Sequence, residues 1–192
     1  ATYTVTVSAP LLTARQELAA AGFNGAIYAI GGLPSSVEVF DPASGTWSFA
    51  APLPTPRRLL AVASTASRVY AIGGVGGTTS VEAYDPRSNS WTVLQSMPRG
   101  RFGLGAVAVG DLIYAIGGEV ISPIPTTIVE EYDALNNTWK SSTFMPGARR
   151  LLGAAKVGGH VYVAGGATEF AQESSTAFRF QPGMRAYLHK KQ

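Results

Sequence analysis

Arginine recurs at a fixed distance from a Gly-Gly pair four times in this sequence of 192 residues, always sixteen residues before the first glycine. The arginines are Arg15, Arg57, Arg101 and Arg149, and the first three pairs are followed by Glu38, Glu82 and Glu130. A guanidinium group can bind a carboxylate of its own chain or an anionic ligand. Because such charges rarely stay unpaired beside a strand, we predict internal pairing, with ligand binding as the alternative. Phe178 stands where the fourth glutamate would be, so Arg149 is the expected exception.

Three further arginines fall in the same predicted loops, and the repeat does not require them. Arg58 and Arg150 directly follow two of the repeat arginines, and Arg99 precedes a third. They either extend a cationic surface that suits an acidic partner or are ordinary solvated side chains.

Catalytic candidates are few. Glu17 is a lone acid in the first predicted inner strand, and with Glu119 or Glu169 it could form a pair of carboxylates for sugar chemistry. An isolated acid at such a position is more often a solvated channel residue. The chain has no cysteine, which excludes thiolate metal ligands, and no phosphate-binding or nucleophile motif occurs. We therefore predict no cofactor and no metal, and favour a non-catalytic protein.

Two predicted loops contain apolar residues where water contact is expected. Residues 119–128 include Ile121 and Ile124, and residues 167–176 include Phe170. Such side chains predict either a contact with a partner or a cap folded onto the protein itself.

Composition excludes some partners. The net charge of +3 is mild and dispersed, so nucleic acid is not an expected partner. No apolar run reaches the ~20 residues that span a bilayer, so we expect no membrane contact, and the compartment is left open.

The Gly-Gly pairs mark a repeat with intervals of 42, 44 and 48 residues. A tyrosine lies three residues before each pair, and the sequences VEVFDP, VEAYDP and VEEYDA follow the first three. A tryptophan comes six residues after each aspartate, at Trp47, Trp91 and Trp139. Each unit predicts four short strands separated by turn residues, which is typical of a propeller blade.

These units resemble kelch repeats, with three strong copies and a degenerate fourth. The resemblance implies an all-β, kelch-type β-propeller of about four four-stranded blades in a single domain. The repeats occupy residues 15–56, 57–100, 101–148 and 149–192, and residues 1–14 are predicted as an extra N-terminal strand. In kelch proteins that bind acidic peptides, arginines at the start of the first strand often contact the ligand.

Closure of the ring has three alternatives. Residues 3–7 could pair into the last blade of a four-bladed ring, which is slightly preferred for a monomer. The chain could instead belong to a larger propeller, or two chains could complete one assembly, because an open ring leaves unpaired edges.

Three functions follow from these observations. The first is a non-catalytic module that binds a protein or acidic peptide through an arginine-rich loop face. The second is a carbohydrate-active enzyme or sugar-binding propeller that uses the same channel mouth. The third is a fragment or self-assembling propeller whose partner is another copy. Kelch propellers serve many functions, so the fold does not choose among them.

Overall fold

The computed structural model describes residues 8–76, 78–121, 124–169 and 172–182. These residues form four antiparallel sheets that are the blades of a four-bladed β-propeller, as predicted. No helix long and apolar enough to cross a membrane occurs in the described ranges.

The strands follow the repeat in order. The first blade contains β1 (Ala19–Phe23), β2 (Ala26–Ile30), β3 (Val37–Asp41) and β4 (Thr46–Phe49). The second contains β5 (Ala61–Ser64), β6 (Val69–Ile72), β7 (Val81–Asp85) and β8 (Ser90–Val93). The third contains β9 (Gly105–Val109), β10 (Leu112–Ile116), β11 (Glu119–Ile121), β12 (Ile124–Asp133) and β13 (Thr138–Arg149), and the fourth contains β14 (Gly153–Val157), β15 (His160–Ala164) and β16 (Ala177–Phe180).

Two-residue turns join the first and second strands of the first, third and fourth blades. Phe23 pairs with Ala26 across Asn24 and Gly25, whose φ angles are 48° and 79°. Positive φ at both positions gives the twist that a tight hairpin needs, and Asn-Gly tolerates it well. The sequence predicted this turn.

The third blade departs from the sequence prediction. Residues 119–128 were expected to be a loop, but β11 pairs with the start of β12, placing Glu119 opposite Pro125 and Ile121 opposite Ile124. The β-branched residues of this stretch suit an extended backbone, and they turn the expected loop into a hairpin that extends the blade. The other blades have no such hairpin in their described residues.

Each blade packs one face onto the next blade in the chain. Tyr28 and Ile30 of the first blade lie against Leu60 and Val69 of the second. The second and third blades share a cluster that includes Tyr70, Ile72 and Ile113, and the third and fourth share one that includes Tyr114, Ile116 and Val161. The tyrosine before each of the first three Gly-Gly pairs therefore fills the space between neighbouring blades.

The Gly-Gly pair brings two backbones into contact. A Cβ on Gly73 would lie 2.4 Å from the carbonyl oxygen of Arg101 in the next blade, and φ at Gly73 is +62°. The amide of Gly74 donates to that same oxygen over 2.8 Å. The other two junctions between consecutive blades share this arrangement. Gly31 and Gly32 contact the carbonyl oxygen of Arg57, and Gly117 and Gly118 contact that of Arg149. Close approach and positive φ together require glycine here.

Tryptophan ties each of the first three blades to the segment that precedes it. The indole N–H of Trp91 donates to the carbonyl of Ala51 over 2.9 Å, and that of Trp139 donates to Gln95 over 2.9 Å. Trp47 makes the equivalent bond to Ala9 over 3.0 Å. Residues 8–14 thus approach the first blade as an irregular segment with no strand of their own. The remainder of the predicted N-terminal strand, including residues 3–7, lies outside the described residues.

In the described residues, the seam between the fourth and first blades is more exposed to solvent than the internal junctions are. Ile27 is 42% exposed in the first blade, and Tyr162 is 36% exposed in the fourth. The residues equivalent to Ile27 are Val69, Ile113 and Val161, each 0% exposed, and those equivalent to Tyr162 are Tyr28, Tyr70 and Tyr114, at 6%, 3% and 1%.

Candidate functional site

The inner ends of the blades surround a central channel mouth. Glu17, Leu59, Gly103 and Leu151 take equivalent positions there, with φ of 59°, 52°, 61° and 53°. The amide of each of the last three donates to the carbonyl of the residue before it in this series, over 2.9, 2.8 and 2.7 Å. Each of the four residues is followed by a leucine, and these eight residues line a cavity of about 250 Å³. Its lining is mostly leucine, with one carboxylate.

The repeat arginines lie inside the blades, not at the channel mouth. Arg57 Nη1 donates to Glu82 Oε2 over 2.5 Å, and Arg101 Nη2 donates to Glu130 Oε2 over 2.8 Å. Arg15 bonds Glu38 in the same way. The predicted internal pairing is therefore confirmed in the first three blades.

Burial governs the electrostatics of these pairs. It lowers the pKa of Arg57 and of Arg101, and the facing glutamate opposes the shift in each case. Burial also raises the pKa of Glu130, against the attraction of Arg101. Charged groups out of water need such a partner and further hydrogen bonds, which Arg57 obtains from the carbonyl of Ala71 over 2.9 Å.

Arg149 is the exception that the sequence predicted. Its guanidinium lies over the Phe178 ring, donates to the carbonyl of Gly165 over 3.3 Å and bonds the Thr176 hydroxyl. Arg149 is 5% exposed, and no carboxylate within the described ranges pairs with it.

The four repeat arginines are thus not presented as a cationic surface. The side chain of Arg15 is fully buried in its ion pair, and the other three arginines are at most 5% exposed. A ligand-binding role for Arg15, Arg57, Arg101 and Arg149 stays a prediction, and their packing does not support it.

The additional arginines bind the acids that were the catalytic candidates. Arg58 Nη1 lies 2.5 Å from Glu17 Oε2 and joins the second blade to the first. Arg150 bonds Glu119 and joins the fourth blade to the third. Each carboxylate faces a guanidinium instead of a second carboxylate, and Glu169 is an exposed turn residue. The structure thus does not bring the predicted acids together as a catalytic pair.

Arg99 differs from the other predicted binding arginines because it is exposed and has no ion pair within the described ranges. It borders a cleft of about 180 Å³ formed with the third-blade hairpin. The other residues that line this cleft are Val120, Ile124, Pro125, Thr126 and Ile128. Val120 is 39% exposed and Ile124 is 54% exposed, so the hairpin presents apolar side chains beside a cation.

The remaining predicted contacts are outside this cleft. Ile121 ends β11 at the tip of the hairpin. Phe170 lies outside the described residues. No cluster of three metal-ligating side chains occurs in the ranges that the structure describes.

Sequence reasoning missed a buried polar cluster between the third and fourth blades. Tyr114 donates its hydroxyl to Glu131 Oε2 over 2.8 Å, and Glu131 also binds Lys140. Burial raises the pKa of Tyr114, and the hydrogen bond to Glu131 adds to the shift. The signal was available, because Glu131 replaces Val39 and Ala83 of the other blades.

Comparison with known proteins agrees with this architecture. A sequence model of the kelch motif matches residues 14–54, 56–98 and 100–143. The degenerate fourth repeat lies outside these matches. Among curated protein sequences, none matches the chain.

A solved structure, that of YjhT, is similar in fold. The TM-score is 0.76 at 16% sequence identity, covering 86% of this chain and 68% of that chain. At that identity the likeness concerns the fold alone. The three motif matches cover more than half of the sequence, and the protein therefore belongs to the kelch-motif family.

Proposed function

We propose that this propeller is a non-catalytic module that binds a protein or peptide through the Arg99 cleft, defined as Arg99 with the third-blade hairpin residues Val120, Ile124, Pro125, Thr126 and Ile128. The observation that carries the proposal is the exposed arginine beside exposed apolar side chains on a hairpin that the fold does not require. An acidic residue next to an aliphatic or aromatic one is the partner chemistry that fits.

The contacts of the acids support binding over catalysis. Glycoside chemistry needs two carboxylates that face one substrate, whereas Glu17 and Glu119 each hold an arginine of the neighbouring blade. The Glu17–Arg58 and Glu119–Arg150 pairs act as links between blades. Among the arginines predicted to bind a ligand, Arg99 is the exposed one without an ion pair in the described residues, so it favours an acidic partner.

Short peptides that combine one aliphatic or aromatic residue with glutamates test the proposal, each compared with its glutamine version. We expect the acidic members to bind more tightly than the amide members, and binding to weaken as salt rises. Arg99→Glu should reduce affinity about tenfold or more, because it replaces attraction with repulsion.

Arg87→Glu is the matched control, since Arg87 is exposed in the Asp-Pro turn of the second blade, on the opposite face. Equal losses for Arg99→Glu and Arg87→Glu would show that only net charge matters. Equal binding of acidic and amide peptides would overturn the proposal.

A further inference from the structure

Three internal junctions of the propeller follow one packing rule, and the open seam has both halves of it. At each junction the tyrosine face of the earlier blade covers an aliphatic residue of the later blade. At the seam, Tyr162 of the fourth blade and Ile27 of the first blade are both exposed. The exposed Tyr162 face of the fourth blade is therefore complementary to the exposed Ile27 face of the first blade.

The backbone shows the same complementarity. At every internal junction the second glycine of a pair donates its amide to the carbonyl of the next repeat arginine, over 3.1, 2.8 and 2.8 Å. In the described residues, Gly166 and Arg15 are the corresponding donor and acceptor, and they form no hydrogen bond with each other.

Gly165 supports this reasoning from available space. A Cβ on Gly117 would meet the Arg149 carbonyl oxygen at 2.6 Å, but among the described residues the nearest atom to a Cβ on Gly165 is 3.8 Å away and belongs to its own blade. The fourth blade thus retains the glycine pair that receives a following blade, although no other blade in the described residues occupies that space.

The first blade is equally prepared for a preceding one. Ala9 accepts from Trp47, and the amides of Leu12 and Thr13 donate to the Glu38 carboxylate over 2.8 and 3.1 Å. In the second blade, the equivalent segment belongs to the end of the first blade, where Ala51 accepts from Trp91. The first blade therefore has the same contacts with its preceding segment as the second blade, whose equivalent face is covered by a neighbour.

We propose that copies of this chain associate head to tail, with the Tyr162 face of one copy packed on the Ile27 face of the next. The amide of Gly166 then donates to the carbonyl of Arg15 in the neighbouring copy. A second copy is the occupant because the two exposed faces fit each other by the rule of the internal junctions. Contacts of this type close into a ring or extend as a chain, and a ring of two copies would hold eight blades, within the known range.

This inference is independent of the proposed peptide-binding function, and complementary variants test it. Ile27→Glu blocks one face and Tyr162→Glu blocks the other. Both residues are exposed in the single chain, so neither substitution should prevent folding, which a thermal melt checks. Val93→Glu is the control, because Val93 is 71% exposed on the outer strand of the second blade, away from the seam.

Light scattering across a concentration series gives the result. We expect the wild type and Val93→Glu to exceed the monomer mass of 20.0 kDa as concentration rises, and each face variant alone to stay monomeric. An equal mixture of the two face variants should form a complex of two chains and no larger species, because one intact junction remains.

Restoration by mixing distinguishes head-to-tail association from a contact that uses the same face twice. A wild type that stays monomeric up to about 100 μM would overturn the proposal. It would also be overturned if the two face variants associate as the wild type does, or if their mixture remains monomeric.

Discussion

The guanidinium carbon of Arg149 lies 4.8 Å from the centre of the Phe178 ring, in the place where the other three blades hold an arginine–glutamate pair. The register of the sheet confirms the equivalence. Phe178 is opposite Val163 in β15, as Glu82 is opposite Ala71 in β6. The aromatic ring offers Arg149 a weaker attraction than a carboxylate would.

A glutamate at position 178 should restore the missing ion pair. We expect Phe178→Glu to be more stable than the isosteric Phe178→Gln by about 1–3 kcal/mol at pH 7, because Arg149 is buried and a charged acceptor satisfies it better. Urea denaturation of both variants measures the difference. Comparing the two substitutions with each other cancels the packing lost with the ring, and equal stabilities would show that Arg149 does not sense the charge.

The ion pairs of the repeat could be predicted from the sequence because fixed spacing places Arg57 and Glu82, and their equivalents, at one level of each of the first three blades. The Glu17–Arg58 and Glu119–Arg150 links could not, since they join residues 41 and 31 positions apart that do not repeat. These two links depend on how neighbouring blades pack, and the spacing of residues within one repeat does not predict them.

Local chemistry limited the prediction for residues 119–128 and left the backbone of Leu59 and Leu151 unpredicted. Residues 119–128 contain two prolines and fall between repeat motifs, which favoured a loop, yet β-branched residues and a partner strand made a hairpin. Leu59 and Leu151 adopt positive φ, which their side chains disfavour, because the backbone bonds around the channel mouth hold them there.

Gly73 and Gly165 are equivalent in sequence and should differ in their tolerance of alanine. Gly73→Ala should cost about 2–4 kcal/mol, because the methyl group meets the Arg101 carbonyl oxygen at 2.4 Å and φ is positive. Gly165→Ala should cost only about 1 kcal/mol, the strain of positive φ alone. Denaturation at low protein concentration, where copies are apart, checks this difference. Similar losses would show that the contact across the blade junction is not what selects glycine.

The turn after β12 gives the protein a defined response to acid. Asp133 accepts the side-chain amide of Asn136 over 2.8 Å and the backbone amides of Asn136 and Leu135, each over 3.0 Å. These bonds, the side-chain bond first, lower the pKa of Asp133 below its ordinary value of 3.8. The folded protein therefore holds this carboxylate ionised more readily than the unfolded chain, so its contribution to stability is present above pH 3.8 and disappears as pH falls through the lower folded value.

Asp133→Asn should consequently lower Tm by about 1–3 °C at pH 6, and the difference from wild type should vanish in strong acid. Thermal melts at a series of pH values give both results. Asp111→Asn, which makes the same change in charge at a side chain with no hydrogen bond in the described ranges, should show a smaller effect. A difference that persists unchanged below pH 3 would show that the turn depends on shape and not on the charge of Asp133.

The hydrogen bonds around the channel mouth all have the same polarity: the amide belongs to the later blade and the carbonyl to the earlier one, from Glu17 through Leu59 and Gly103 to Leu151. Energetically, the molecule is then a linear array with nearest-neighbour coupling, although its blades curve around an axis. In the described residues the second and third blades share a packed junction with a neighbour on both sides, and the first and fourth blades on one side, so we expect unfolding to begin at the first or fourth blade. Joining the ends to another copy would abolish the termini of that array, and with them the sites where unfolding starts.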